Sequence, residues 1–234
     1  MSLRATLLAG AAVLAFSAPA DAYQLRGTYA SIEAGASWVG GERFFQDSIF
    51  TTSTFIYDEY RTEFKTGWAL MGSIGYAFEN RFRVELEAGY RRNGFDQLYG
   101  SSSSLLPSGG ELSEFSLMAN VLYDIPLGER WSLSVGGGLG ADHATLKVDY
   151  LDFKDDDWRF AYQGLAGINY AIGKQTQLFL NYRYLHVDAP EYTWFEAGSP
   201  GITHRTIVMG DLDKNAVTIG LRYAFSGPDA PPPP

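Results

Sequence analysis

The sequence predicts an all-β fold, an eight-stranded antiparallel up-and-down transmembrane β-barrel with long external loops and short periplasmic turns. Three observations predict it. Eight segments alternate apolar and polar residues with a period of two, which is typical of strands with one apolar face. The connections between the segments alternate between short and long, and aromatic residues collect near both ends of the segments. After Tyr23 the sequence holds no run of about 18 apolar residues that would form a transmembrane helix.

The eight alternating segments are each close to the length that a tilted membrane strand needs, about 9 to 11 residues. They cover residues 28–39, 67–78, 81–91, 114–124, 130–141, 158–172, 176–187 and 215–225. The third segment shows the pattern clearly, because Val84, Leu86 and Ala88 alternate with Glu85 and Glu87. Each segment therefore has an apolar face for lipid and a second face for the barrel interior.

Connections of two lengths join the segments. Glu79 and Asn80 alone separate the second segment from the third, and the sequences DIPLGER and GKQ make the other two short links. The four remaining connections are predicted to be long loops, and they cover residues 40–66, 92–113, 142–157 and 188–214. Outer-membrane barrels place tight turns on the periplasmic side and long loops outside, whereas a β-sandwich does not sort its loops in this way.

Aromatic residues fall into two bands on the apolar face when the segments are threaded up and down. The band at the short-turn end contains Tyr76, Phe78, Phe82, Tyr123, Trp131, Tyr170, Tyr223 and Phe225. The band at the long-loop end contains Trp38, Trp68, Tyr90 and Tyr184, together with Phe115 and Phe160. Amphipathic aromatic rings settle at membrane interfaces, so we predict that these bands form the two girdles of a transmembrane barrel.

The face opposite the lipid is polar, and we expect it to fill the lumen. Its charged residues are Glu33, Arg83, Glu85, Glu87, Arg183 and Arg222, accompanied by Asn120, Gln163, Asn169 and Asn181. Eight strands enclose an interior just wide enough for side chains, and unpaired charges in a poorly hydrated lumen are costly. We therefore predict a network of ion pairs that plugs the lumen. A low-conductance pore is the alternative if the pairs exchange partners.

The two ends of the chain carry signals of export and of a following spacer. MSLR is followed by an apolar, Ala-rich run and by the small-residue sequence ADA, the pattern of a secretory signal peptide. We predict a signal peptide over residues 1–22, a barrel over residues 23–226 and the start of a Pro-rich linker over residues 227–234. Both termini of the mature barrel are expected in the periplasm.

Several segments resemble a known family. YDIPLGERWSLSVGGGLG, AYQGLAGINYAI, LFLNYRYL and GLRYAF are similar to the eight-stranded outer-membrane barrel domain of the OmpA superfamily, above all to alphaproteobacterial OmpA-type proteins. The resemblance covers the chain after the signal peptide up to Phe225. It implies a monomeric barrel in the outer membrane of a Gram-negative cell. Such barrels are often followed by a peptidoglycan-binding domain, which this sequence does not contain, so peptidoglycan binding is not carried over.

Composition and chemistry argue against several other classes of protein. The formal net charge is -9 and the Lys and Arg residues are scattered, which disfavours nucleic acid as a partner because phosphate binding needs a basic stripe. His143, His186 and His204 have acidic neighbours but no diagnostic spacing, and nothing marks Ser134 as a nucleophile. The run LDFKDDDW fits a calcium loop poorly and is expected to be a solvated loop. We therefore expect no enzyme activity, cofactor or metal.

The predicted function is physical: anchoring in the outer membrane, envelope integrity and surface display. Its expected partners are outer-membrane lipid, lipopolysaccharide and the barrel-assembly machinery, because the terminal strand resembles the C-terminal signal of such barrels through Tyr223 and Phe225. Host or surface ligands are the partners that an adhesin role would give to the loops. Three alternatives stay open: an adhesin or immune-evasion protein, a low-conductance pore for small solutes, and a lipid A-modifying enzyme.

Overall fold

The computed structural model describes most of the chain between the predicted signal peptide and the predicted linker. The described residues are 24–40, 43–51, 55–99, 105–106, 110–148, 153–188, 191–194, 202–209 and 211–225. The predicted signal peptide and Pro-rich linker lie outside these residues, so both stay predictions. Within the described ranges, no helix is long and apolar enough to cross a membrane.

The described part of the chain forms thirteen strands. In chain order they are β1 (Gly27–Val39), β2 (Arg43–Thr51), β3 (Phe55–Phe64), β4 (Gly67–Ala77), β5 (Phe82–Tyr99), β6 (Leu105–Leu106), β7 (Gly110–Pro126), β8 (Trp131–Val148), β9 (Phe153–Ala171), β10 (Thr176–Val187), β11 (Glu191–Trp194), β12 (Ile202–Met209) and β13 (Leu212–Ala224). Eight of them, β1, β4, β5, β7, β8, β9, β10 and β13, correspond to the eight segments that the alternation predicts.

These eight strands close into an antiparallel barrel, because β1 pairs with β4 on one side and with β13 on the other. The prediction of an all-β, eight-stranded up-and-down barrel is confirmed. A row of directly opposite residues that leaves β1 at Thr28 passes through every strand and returns to β1 at Trp38. This stagger of ten residues corresponds to a strand tilt of about 40° and a backbone radius of about 8 Å.

The short connections are tight turns, as predicted. Between β4 and β5, Phe78 N donates to Phe82 O at 2.9 Å and Arg81 N donates to Phe78 O at 3.3 Å. Arg81 has a φ of 71°, in the left-handed region that a three-residue hairpin loop requires. All three short turns therefore lie at one end of the barrel and the long connections at the other.

The long connections are confirmed, but several strands run further into them than the alternation predicts. Strand β5 continues to Tyr99, β7 begins at Gly110, β8 continues to Val148 and β9 begins at Phe153. The acidic run predicted as a loop therefore lies largely within β9. The reason is that the alternation inverts beyond the outer aromatic band: Phe95 and its neighbours on the inner face are buried and apolar there, while the outer face becomes polar.

Four of the remaining strands extend the barrel wall at the long-connection end, and we call this extension the crown. It consists of β2, β3, β11 and β12 together with the outer parts of β5, β7, β8 and β9. Strand β2 pairs with β3 and β12, β12 pairs with β11, and β3 pairs with β5 near Phe64 and Phe95. The first and last long connections are therefore tied to each other by a backbone ladder.

The outer wall of the barrel is apolar and the inside is polar, which is the reverse of a soluble protein. Ile32, Ile74, Leu86 and Leu139 each expose about 60% of their surface on the outside. Buried Glu, Arg, Asn and Gln side chains lie on the inside of the same strands. This inversion is typical of a chain that meets hydrocarbon rather than water along its strands.

Candidate functional site: the barrel lumen

The six charged residues predicted for the lumen all lie inside the barrel. Their exposed fractions range from 1 to 7%, and the residues are Glu33, Arg83, Glu85, Glu87, Arg183 and Arg222. They alternate along β1, β5, β10 and β13 with the apolar residues that face outward. The strand period of two therefore places every one of them towards the barrel axis.

The layer of the lumen nearest the short turns is built around Arg83. Its Nη1 donates to Glu85 Oε1 at 2.7 Å, and its Nε lies 2.9 Å from Asp124 Oδ2. Tyr29 Oη donates to the same Glu85 oxygen at 2.6 Å. Glu85 is thus held by a cation and by a hydroxyl from different strands, which compensates for its removal from water.

Arg222 completes this layer from β13. Its guanidinium lies 4.5 Å from the ring centroid of Phe179 and 5.4 Å from that of Tyr29. Its Nη1 donates to Gln177 Oε1 at 3.0 Å, and its Nη2 lies 3.8 Å from Glu85 Oε1. The buried cation is therefore stabilised by aromatic faces as well as by a nearby carboxylate.

The middle layer is a clamp formed by Arg183 and two carboxylates from other strands. Arg183 Nη1 donates to both oxygens of Glu87, at 2.7 and 2.6 Å, while its Nη2 donates to Glu33. Glu33 also accepts hydrogen bonds from Asn181 Nδ2 at 3.1 Å and from Thr218 Oγ1 at 2.5 Å. Glu33 and Glu87 therefore each accept several hydrogen bonds inside the barrel.

Amide side chains extend the middle layer towards β7 and β9. Gln163 Nε2 donates to Asn120 Oδ1 at 2.8 Å and to Glu87 Oε1 at 3.3 Å. Gly138 leaves room for this contact, because a Cβ at that position would lie only 1.9 Å from Asn120 Oδ1. The glycines on the inner face of β8 therefore set how close the amides come to one another.

A third charged layer, which sequence reasoning missed, lies at the height of the outer aromatic band. It consists of Arg91, Glu114, Asp142 and Lys214, each exposed by 2% or less. Lys214 Nζ forms an ion pair with Glu114 and lies 3.8 Å from Asp142 Oδ1. Asp142 and Lys214 lie in predicted loops. Both would have been assigned to the lumen if the alternation of inward and outward residues had been continued past the predicted strand ends.

Charge is nearly balanced among the described lumen residues. The fully buried carboxylates are Glu33, Glu85, Glu87, Glu114 and Asp142, and the buried cations are Arg83, Arg91, Arg183, Arg222 and Lys214. Asp124, whose side chain is 16% exposed, adds a sixth carboxylate beside Arg83 at the short-turn end. Balance matters because an unmatched charge in this narrow, poorly hydrated space would be strongly destabilising.

An apolar cluster overlies the third charged layer at the crown end of the lumen. It contains Phe95, Leu112, Met118, Ala144, Leu146, Ala161, Leu185, Val187 and Leu212, all buried. The ring of Phe64, from β3, packs edge-to-face on Phe95 with 5.6 Å between centroids. The inside of the barrel thus changes from charged to apolar along its axis.

The aromatic residues predicted as girdles lie on the outer wall in two groups of ring contacts. Phe82 and Tyr123 are 5.0 Å apart at the short-turn end, and Trp68 and Tyr90 are 5.4 Å apart at the other end. From the register and the strand tilt, the two bands are separated by about 20–25 Å along the axis, close to the height of a lipid-facing band. Their role at membrane interfaces stays a prediction.

The two residues predicted as an assembly signal end the closing strand. Tyr223 and Phe225 are 47% and 61% exposed, and their ring centroids are 5.7 Å apart. Phe225 N donates to Thr28 O at 2.9 Å, so the last aromatic residue is also tied to the first strand. Recognition by assembly machinery is a prediction that this geometry does not test.

The histidines do not assemble with Ser134. His143 Nε2 lies 2.6 Å from Asp156 Oδ2, and His186 Nδ1 lies 2.8 Å from Asp213 Oδ1, both on the outer wall. Ser134 lies inside the lumen, where it donates to Asp124 and accepts from Arg83 and Asn169. The side chain of His204 is outside the described part. Among the described side chains, no group of three or more His, Cys, Asp or Glu residues could hold a metal ion.

Comparison with known proteins assigns the family. The family model of the outer membrane protein beta-barrel domain matches residues 7–225. The chain belongs to this family. The family membership and the barrel fold support the outer membrane as the location of the protein.

Relatives and solved structures agree with this assignment. An uncharacterized protein of Brucella abortus (strain 2308) is 27% identical over 82% of this chain and 80% of its own length. An outer membrane protein of Gluconacetobacter diazotrophicus is 27% identical over 99% of this chain and 66% of its own length. OprG from Pseudomonas aeruginosa (TM-score 0.59, 14% identity, 86% of this chain and 98% of that chain) and Neisserial surface protein A (0.51, 15%, 85% and 97%) share the fold.

Proposed function

We propose that this outer-membrane barrel is a sealed anchor that displays its crown at the cell surface. The observation that carries the proposal is the clamp in which Arg183 bonds Glu33 and Glu87 at once. An ion crossing the lumen would have to separate buried, hydrogen-bonded charges, which costs several kcal/mol per ion (about 3–5 for breaking a buried pair).

The apolar cluster at the crown end supports sealing by a second, independent barrier. Phe95, Leu112 and Leu146 each expose 2% or less of their surface, so little solvent reaches the charged layers from that side. A hydrated ion would lose its water there without gaining any polar partner. Sealing therefore does not depend on the ion pairs alone, and this disfavours the pore alternative.

The strand content of the crown supports display of a fixed surface. The first and last long connections pair through β2 and β12 instead of moving separately. We place the crown outside the cell and both chain ends in the periplasm, because barrels of this class keep their short turns periplasmic. Binding of a host or surface ligand by the crown, as in an adhesin, is the second candidate function.

The partners that we propose follow from the outer wall. Its apolar surface and aromatic bands would contact lipid and lipopolysaccharide. The assembly machinery would recognise the closing strand through Tyr223 and Phe225. We propose that the barrel works as a monomer and has no catalytic role. The pairing of His143 and His186 with aspartates on neighbouring strands supports a structural role for both.

Single-channel recording tests the sealed state. The protein refolded into planar lipid bilayers is expected to give no conductance steps, with folding verified by its heat-modifiable gel mobility. A variant with Arg183, Glu33 and Glu87 changed to Ser and with Phe95→Ser and Leu146→Ser is expected to leak. Regular conductance steps from the wild-type protein would overturn sealing and favour the pore.

A further inference from the structure

The outer wall carries an apolar groove between the two aromatic bands. The groove has a volume of 740 Å³ and crosses β4, β5, β7 and β8. A second groove of 490 Å³ adjoins it towards the short turns. Small residues lie between large ones along the first groove, and its lining includes Gly72, Ala88, Ala119, Leu86, Leu117 and Leu139.

The glycine at the centre of the groove, Gly72, is not required for packing of the barrel itself. A Cβ at Gly72 would meet only Ser31 O, at the ordinary contact distance of 3.7 Å. By contrast, a Cβ at Gly136 or Gly140 on the inner face would lie 2.3 or 2.0 Å from a backbone oxygen. The inner glycines are therefore needed for packing, whereas Gly72 leaves open a space that a larger residue would fill.

The external end of the groove leads to aromatic rings and a cation. Tyr90 lies opposite Leu70 in the row beyond Gly72, and Arg92 lies opposite Trp68 in the row after that. The Trp68 and Tyr90 rings are tilted by 40° with 5.4 Å between their centroids. The Arg92 side chain is 50% exposed, and Glu111 binds its Nε and Nη2 and so fixes its orientation. Lys65 is also exposed, and its backbone N donates to Gly94 O at 2.8 Å, two residues beyond Arg92 on β5.

This cationic rim contrasts with the opposite side of the barrel. At a similar height, the outer wall of β9, β10 and β13 presents Asp156, Asp188 and Asp213, each with 42 to 57% of its side chain exposed. Among the side chains that the structure describes, the sector above the groove carries the exposed cations Arg92 and Lys65, together with Glu111, the carboxylate that pairs with Arg92. Such a rim attracts phosphate, whereas the acidic sector repels it.

We propose that the groove and its rim bind one phosphorylated, acylated lipid of the outer leaflet. An acyl chain lies along Gly72 and Ala88, the sugar of the headgroup lies against Trp68 and Tyr90, and a phosphate contacts Arg92. The site rests on the external placement of the crown in the proposed function, because only then does the rim face the outer leaflet.

Native mass spectrometry of the full barrel released from nanodiscs tests the groove. The nanodiscs contain hexa-acylated, bis-phosphorylated lipid A mixed with phosphatidylethanolamine. The wild-type protein is expected to retain one lipid A, and Gly72→Leu to reduce the retained fraction at least fivefold. The matched control is Gly164→Leu, an outward glycine on β9 around whose Cβ position nothing lies within 4 Å. Equal retention by the two variants would overturn the proposal.

The headgroup is tested by the rim. Arg92→Gln is expected to reduce retention of lipid A at least fivefold but to leave dephosphorylated lipid A unchanged. Arg26→Gln, an exposed arginine at the short-turn end, is the matched control and is expected to have no effect.

Three other outcomes would contradict the site. Equal retention of phosphatidylethanolamine, a dimer with no lipid, or, in nanodiscs that also contain phosphatidylglycerol, preference for that lipid over lipid A would each exclude an outer-leaflet phosphorylated lipid in the groove. A failure of sealing is distinguishable, because it produces conductance steps and leaves lipid retention unchanged.

Discussion

Arg183 on β10 reaches across the lumen to Glu87 on β5, with 2.6 Å between Nη1 and Oε2. The two strands are four positions apart in the eight-strand barrel, so this ion pair spans its diameter. Pairs between adjacent strands follow from the register, whereas this one exists only because the barrel closes with a radius that two long side chains can bridge.

Removing the cation of the clamp should destabilise the barrel. Arg183→Met leaves Glu33 and Glu87 buried without their shared partner, and we expect a loss of about 3–5 kcal/mol in the free energy of unfolding. Urea titration in phospholipid vesicles measures it. The neutral triple variant with Glu33→Gln and Glu87→Gln should recover part of the loss. A single variant within 1 kcal/mol of wild type would argue against the clamp (about 1 kcal/mol being the size of an exposed pair).

A methyl group on the inner face of β8 should disturb the amide network. Gly138→Ala places a Cβ only 1.9 Å from Asn120 Oδ1, and we expect a loss of about 1–3 kcal/mol from overpacking. Gly164→Ala, on the outer wall of β9, serves as the control and should be close to neutral. Similar losses for both variants, measured by urea titration, would mean that the inner glycine is not needed for close packing.

The cost of placing a charged residue on the outer wall should depend on how deep in the membrane its position lies. Leu86 exposes 63% of its surface midway between the aromatic bands, so Leu86→Arg should cost about 2–4 kcal/mol in vesicles. Leu127→Arg, in a short turn and 48% exposed, should cost about 0–1 kcal/mol. Equal costs at the two positions would place Leu86 outside the hydrocarbon.

Loss of the terminal aromatic residue should impair assembly in cells. Deletion of Phe225 is expected to reduce the amount of folded protein in the outer membrane, scored by heat-modifiable mobility of the membrane fraction. Phe78→Ala removes an aromatic residue from the same band on another strand and should leave the yield near wild type. Normal yield of the deletion variant would refute the assembly signal.

The first short turn should tolerate a stabilising change. Arg81 adopts a positive φ of 71°, which glycine accepts without the steric cost that a Cβ brings. Arg81→Gly is therefore expected to raise the free energy of unfolding by up to about 1 kcal/mol. Arg130→Gly, in another short turn and without an unusual φ, is the comparison. A loss of stability at position 81 would show that the Arg side chain contributes more than the strain costs.

The membrane-spanning strands and the six predicted lumen charges could be found from the sequence because lipid imposes a strict period of two. Val84, Leu86 and Ala88 must face hydrocarbon, so Glu85 and Glu87 are forced inward. The same rule failed beyond the outer aromatic band, where the outer face meets water. Beyond that band, the polar residue Arg92 faces outward and the apolar residue Phe95 faces inward. The strands therefore lack the apolar outer face that identifies a membrane strand, and the segment is assigned to a loop.

The sequence by itself determined the eight strands that close the barrel, their faces, the sorting of short and long connections and the polar character of the lumen. All of these are local consequences of a chain that must satisfy its backbone hydrogen bonds in lipid. Only the tertiary structure decided which charges pair across the lumen, that Lys214 reaches Glu114, and that the first and last long connections share a ladder. These contacts join residues far apart in the chain, and their distances depend on barrel closure and stagger rather than on any local pattern.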